Sequence, residues 1–188
     1  MSKVMSPYDF LRKLILPLDQ IDYYIPKKGT IIDLGCGQGV ISKFLAKSKS
    51  RQIIGIDANA KRLPPLKFKN LKFISADITK YPIKRAQGVI LSDVLHHINI
   101  KDQKKLINDI SKSLKSRGIL VIKEIDSGEF VRSKLSRLWD LLLYPSDKIN
   151  YWQYQDLQKF LEEMGFGIKV LRPCRFFPGS TTLFICKK

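Results

Sequence analysis

Acidic side chains are scarce in this chain. Its 188 residues include 34 Lys or Arg against 17 Asp or Glu, a net charge of +17. Such a balance invites a nucleic-acid or other anionic partner. Its distribution does not: residues 1–100 carry a net +10 and residues 101–188 a net +7, with no arginine-rich tract and no basic arm. A lysine-rich background composition is the plainer reading. Cysteine is also scarce. Cys36, Cys174 and Cys186 are odd in number and match no zinc or CxxC spacing. This excludes a disulfide framework and predicts a reducing, cytoplasmic setting. No apolar run approaches the ~20 residues of a spanning helix. The N-terminal LILPL is short, contains Pro17 and lacks a small-residue cleavage site after it, so neither a secretory signal nor a membrane span is expected. Repeats and low-complexity tracts are missing, and the length suits one domain.

What is present alternates. TIIDL, RQIIGID, LKFISAD, AQGVILSD and ILVIKEID read as five short strands, apolar without a polar alternation, as strands covered on both faces are. Helical patterns lie at residues 7–24 with a break at Pro17, in QGVISKFLAKS, and in DQKKLINDISKSLKSRG with Gly118 as its stop. The alternation predicts an α/β fold, a parallel sheet with helices on both faces. EFVRSKLSRLWDLLLY and QYQDLQKFLEEMG add two helices, the second stopped at Gly165. GIKVLRPC and STTLFICK then read as strands that pair antiparallel.

Only seven acids occur in residues 1–100, and four of them, Asp33, Asp57, Asp77 and Asp93, end or nearly end four successive strands. Ligands of an open parallel sheet bind outside the carboxyl ends of its strands. A chain poor in acid therefore places much of it along one edge, which suits hydroxyls, amino groups or positive charge. In DLGCGQG, Gly35 and Gly37 allow a tight turn and a close approach to a ligand, and Gly39 allows the next helix to pack on the sheet. Asp57, 20 residues after Gly37, stands where an acid can take both hydroxyls of a ribose. The dinucleotide fingerprint fits imperfectly, because Val40 stands where its third glycine belongs.

Taken together, IIDLGCGQG, IIGIDAN, FISADI and GVILSDVLHHI resemble four consecutive motifs of the class I S-adenosylmethionine-dependent methyltransferases, over residues 29–125. The resemblance implies a Rossmann-like three-layer sandwich with a mostly parallel seven-stranded sheet and an antiparallel C-terminal strand. It implies S-adenosylmethionine as cofactor, S-adenosylhomocysteine as product, and no metal. Residue by residue, Gly35, Cys36, Gly37 and Gly39 would form the cofactor loop. Asp33 would lie near the methionine ammonium, directly or through water. Asp57 would hold the ribose with Ala58 beside the adenine, Asp77 would accept from the adenine amino group with Ile78 on the ring, and Ser92 and Asp93 would border the methyl end. A strand-end Asp can also simply cap the following turn, as Asp77 could for ITKY.

His96 and His97 are the only histidines. In the resembling families their loop faces the transferred methyl, so one of them, His97 before His96, is a candidate base for a hydroxyl acceptor. Trp139, Tyr144, Tyr151, Trp152 and Tyr154 suggest an aromatic lid over a small, apolar or aromatic acceptor, with Tyr8, Phe10, Tyr23 and Tyr24 closing the other side. The expected layout is a helical cap over residues 1–28, a cofactor core over 29–125, a lid over 126–150 and a C-terminal helix and strand pair over 151–188. Methyl transfer to oxygen of a small molecule is the reading favoured. The alternatives are an RNA methyltransferase, for which Asp93 and Lys123 match two of four residues of one known set, and a non-catalytic cofactor-binding protein.

Overall fold

The computed structural model describes residues 16–65, 68–125, 150, 152–172 and 181–188. Seven strands form one sheet: β1 (Gly29–Leu34), β2 (Arg51–Asp57), β3 (Leu71–Ser75), β4 (Ala86–Ser92), β5 (Leu114–Ile125), β6 (Gly167–Leu171) and β7 (Thr181–Lys187). Their order is β3-β2-β1-β4-β5-β7-β6. β1 to β5 are parallel where they pair, and β7 runs antiparallel to both β5 and β6. This is the mostly parallel sheet with an antiparallel C-terminal strand that the alternation and the motifs predict.

Among the described residues four helices cover it: α1 (Leu18–Tyr24), α2 (Val40–Leu45), α3 (Ile100–Ser113) and α4 (Tyr154–Glu163). Side chains alternate across a strand, so each strand feeds two cores. On one face Ile32 and Leu34 of β1 meet Leu106, Ile107 and Ile110 of α3 and Leu157 and Leu161 of α4. On the other, Ile31 meets Ile21 of α1 and Ile41 and Leu45 of α2. The central strands are therefore apolar on both faces over most of their length, with Asp33 of β1 and Ser92 of β4 as buried polar exceptions.

One junction, between α3 and β5, differs from the expectation. The helical pattern over 102–118 ends early, at Ser113, and Gly118 lies inside β5. Ser113 Oγ donates to Ile110 O and closes the last turn. Leu114 then turns extended (φ −65°, ψ 135°) and pairs with Ala86. Leu114 is 2% exposed, so its burial on the sheet outweighs one more helical turn. At the other end of the chain, the helix stop at Gly165 is as predicted: Gly165 takes φ +83° and donates to Glu162 O.

α1 is fastened at the amino end of the sheet. The guanidinium of Arg51, the first residue of β2 and 1% exposed, pairs with Asp22 (2.5 Å) and donates from Nε to Pro26 O (2.8 Å). Tyr23 and Tyr24 therefore lie near the opposite end of the sheet from the carboxyl edge. They do not close that edge, and Tyr8 and Phe10 lie outside the described residues. So does nearly all of the expected lid, with Trp139, Tyr144 and Tyr151. Trp152 stacks on Phe160 and donates its indole N–H to Gln103, and Tyr154 faces the Arg172 guanidinium. Both act here as packing aromatics.

Candidate active site

The loop between β1 and α2 is closed by its own amides. Gly35 N (2.7 Å) and Cys36 N (3.0 Å) both donate to Ile56 O, Gly39 N donates to Cys36 O (2.8 Å), and Gly37 N donates to an Asp57 carboxylate oxygen (2.8 Å). Gly35 adopts φ +72°, and a Cβ there would lie 2.0 Å from Val94 Cγ2, so only glycine fits. A phosphate-binding loop presents unbonded N–H groups to the ligand. Here the amides of Gly35, Cys36, Gly37 and Gly39 already have partners within the protein. The loop can approach a ligand closely, but it is not built to hold a pyrophosphate.

Beside this loop, outside the carboxyl ends of β1, β2 and β4, lies a cavity of about 330 Å³. That is a size suited to a small ligand. Among the described residues three carboxylates line it, Asp57, Asp77 and Asp102, and no Lys or Arg does. Ala58, Ile78, Val94 and Ile98 supply its apolar surface, and His97, Thr79 and Asn99 its remaining polar side chains.

Asp57 is 8% exposed and accepts from Gly37 N on one oxygen and from Asn59 N on the other. Each oxygen has two acceptor positions, so both can take a further hydroxyl. Asp77 accepts from Thr79 Oγ1 (2.7 Å) and Thr79 N (2.9 Å) and lies 3.5 Å from Lys80 Nζ. The Thr79 hydroxyl first, then the Thr79 amide and the Lys80 charge, hold its carboxyl below the ordinary 3.8. Asp77 thus caps its turn and lines the cavity at once. Asp102 lies in the first turn of α3, where Asn99 caps the helix: Asn99 Oδ1 accepts from Asp102 N and Asn99 Nδ2 donates to the Asp102 carboxylate.

The remaining candidates are not among the residues that line this cavity. Asp33 has the strand parity of Ile31 and faces α2, where Ser42 Oγ donates to it (2.5 Å); it is 2% exposed. Asp93 takes φ +53° and pairs with the buried Lys123 (2.5 and 2.7 Å). Ser92 is buried, and its Oγ has no hydrogen-bond partner among the described residues. Cys36 is buried in the loop, and the space that a Cβ on Gly39 would fill is taken by Phe73 of β3. The two histidines part company. His97 lines the cavity, whereas His96 is 2% exposed and bonds through Nδ1 to Glu124 (2.7 Å).

Thr79, Val94, Ile98, Asn99 and Asp102 join the site without having been singled out in the sequence. Val94 and Ile98 sit within the text of the fourth motif. Asn99 and Asp102 have the spacing of an N-cap and its third-position acid, a signal that could have marked them. Among the described residues, no group of three His, Cys, Asp or Glu could hold one metal ion, and no helix is long and apolar enough to cross a membrane.

Comparison with known proteins agrees with this geometry. A family model described as a methyltransferase domain matches residues 8–169. A carboxy-S-adenosyl-L-methionine synthase of Staphylococcus epidermidis is 26% identical over 117 residues, 59% of this chain and 51% of that protein. The chain therefore spans about half the length of that curated relative. An S-adenosylmethionine-dependent methyltransferase from Archaeoglobus fulgidus superposes with a TM-score of 0.72 at 18% identity, over 96% of this chain and 99% of the other. The magnesium protoporphyrin IX methyltransferase of Synechocystis, solved with S-adenosylhomocysteine bound, superposes with a TM-score of 0.70 at 19% identity, over 91% and 81% of the two chains. With the sheet order, the glycine loop and the match over most of its length, the chain belongs to the methyltransferase-domain family and has the Rossmann-like class I fold of S-adenosylmethionine-dependent methyltransferases.

Proposed function

We propose that the protein transfers the methyl group of S-adenosylmethionine to an oxygen of a small organic acceptor. The observation that carries the cofactor is the cavity lining: three aspartates and, among the described residues, no Lys or Arg, in a chain of net charge +17. A cavity of this charge favours a cationic nucleoside and disfavours a pyrophosphate. The residues present fit such a group. Asp57 would take the ribose hydroxyls. Asp77 would accept from the adenine amino group, with Ala58 and Ile78 against the ring and Val94 and Ile98 completing the apolar wall. The cofactor supplies a methyl on a sulfonium, already activated for displacement.

The protein's own contribution is then positioning and exclusion of water, which can supply most of the rate of an in-line transfer. His97 stands on the cavity wall where it can take a proton from an acceptor hydroxyl, and this placement supports oxygen as the atom methylated.

A second reading, methyl transfer to RNA, draws on the cations around the same cavity. Exposed Lys61 follows Ala58 by three residues, Lys80 follows Thr79, and Lys101 and Lys105 flank Asp102. A non-catalytic cofactor-binding role would use the same residues of the cavity. Calorimetric titration of S-adenosylhomocysteine tests the common premise: the wild-type chain binds, and Asp57→Ala weakens binding on the order of 10- to 100-fold through lost hydrogen bonds to a charged group. Absence of binding at millimolar ligand would sink the cofactor reading. Turnover with hydroxylated small molecules, set against turnover with RNA, then separates the acceptors.

A further inference from the structure

We propose that Glu124 is a positioning residue that holds the turn after β4, and with it His97, against the cavity. Its bearing on methyl transfer rests on the function proposed above; the placement of the turn does not. Glu124 is 6% exposed and lies near the carboxyl end of β5. One carboxylate oxygen accepts from Val94 N (3.1 Å) and Leu95 N (2.8 Å), and the other from His96 Nδ1 (2.7 Å). We assign the proton of this bond to Nδ1 of His96, the arrangement in which the carboxylate accepts all three hydrogen bonds. All three donors belong to residues 94–96, so one buried carboxylate organises one turn.

The residues on either side of those donors are the ones that face the ligand. Val94 lines the cavity, and its Cγ2 occupies the space beside Gly35; His97 and Ile98 line the cavity after His96. Glu124 is not among the lining residues. The preceding residue, Lys123, grips the start of the same turn: its O accepts from Asp93 N (2.9 Å) and its Nζ pairs with the Asp93 carboxylate. Adjacent strand residues point to opposite faces, so the end of β5 holds the turn from both sides of the sheet. A buried carboxylate with three charge-assisted hydrogen bonds is costly to disturb, which fits a fixed turn rather than a mobile one.

With only two histidines in the chain, ring signals in nuclear magnetic resonance report this turn directly. In the full-length Glu124→Ala variant, measured without ligand, amide exchange at Val94 and Leu95 speeds up at least about tenfold. The His97 ring resonances shift, while the Gly37 amide, held by Asp57, keeps its rate. Glu124→Gln returns a carbonyl oxygen to the two amides and restores their protection. Its NH₂ group cannot accept from the His96 ring, so the slowly exchanging Nδ1–H signal of the wild type disappears. Unchanged exchange at Val94 and Leu95 in the Ala variant, or a surviving Nδ1–H signal in the Gln variant, overturns the proposal. If the Ala variant does not fold, the Gln variant carries the test through the ring signal. S-adenosylhomocysteine affinity falls about tenfold in Glu124→Ala and recovers in Glu124→Gln; an unaltered affinity in Glu124→Ala also counts against the role. Failure of the wild type to bind would instead count against the cofactor reading alone, because the exchange and ring signals are read without ligand.

Discussion

Asp33, Asp57, Asp77 and Asp93 are chemically identical and similarly placed in the sequence, yet the fold gives them three different neighbourhoods. Asp57 and Asp77 line the cavity, Asp33 is turned toward Ser42, and Asp93 is paired with Lys123. The strand-end rule found the edge but could not tell which carboxylates line the cavity, because that depends on strand parity and on partners supplied from elsewhere. Two expectations belong to single residues. Gly35→Ala forces a Cβ to 2.0 Å from Val94 Cγ2 at φ +72°; it should cost about 1–3 kcal/mol, read as a lowered urea midpoint. Asp77 has its folded carboxyl held below its ordinary value, with the Thr79 hydroxyl as the main cause. A depressed carboxyl stabilises fully above the unfolded value and loses that contribution as pH falls through the folded one. Asp77→Asn should therefore lose less stability than wild type between about pH 5 and pH 3, measured by urea denaturation at both ends.

Elements follow their local patterns where packing agrees with them. β1 to β4 and the stop at Gly165 were readable because apolar runs, strand ends and glycine each have a local cause. The end of α3 was not, since Leu114 finds its place on β4 rather than along its own helix. α1 shows the same dependence on distant groups. Its seven residues are too few for a stable isolated helix, and Arg51, far along the chain, fixes it through Asp22 and Pro26 O. Asp22→Ala leaves a guanidinium that is 2% exposed without this carboxylate. The variant should lose about 1–3 kcal/mol, with faster amide exchange concentrated in α1.

At the level of the molecule the charge is divided: a net +17 overall, and a cavity lined by Asp57, Asp77 and Asp102. The two parts respond differently to salt. Binding of a polyanion to the exterior should weaken steeply from about 50 to 300 mM salt. S-adenosylhomocysteine, a small ligand without phosphate, should change affinity by no more than about twofold over the same range. Filter binding of RNA alongside calorimetry makes the comparison, and a flat RNA response removes the RNA reading.

The order of strands and helices, the two-sided apolar sheet, the glycine loop and the gathering of acids at one edge are all determined by the sequence alone, because each arises from neighbours along the chain. The histidine that reaches the cavity, the carboxylates that stay there, and the burial of Glu124 beneath the turn of residues 94–98 were decided only by the tertiary structure. Those outcomes rest on which face of a strand a side chain occupies and on partners tens of residues away: Gly37 with Asp57, Asp93 with Lys123, His96 with Glu124. Local sequence carries no record of such pairings until the sheet has brought them within hydrogen-bonding distance.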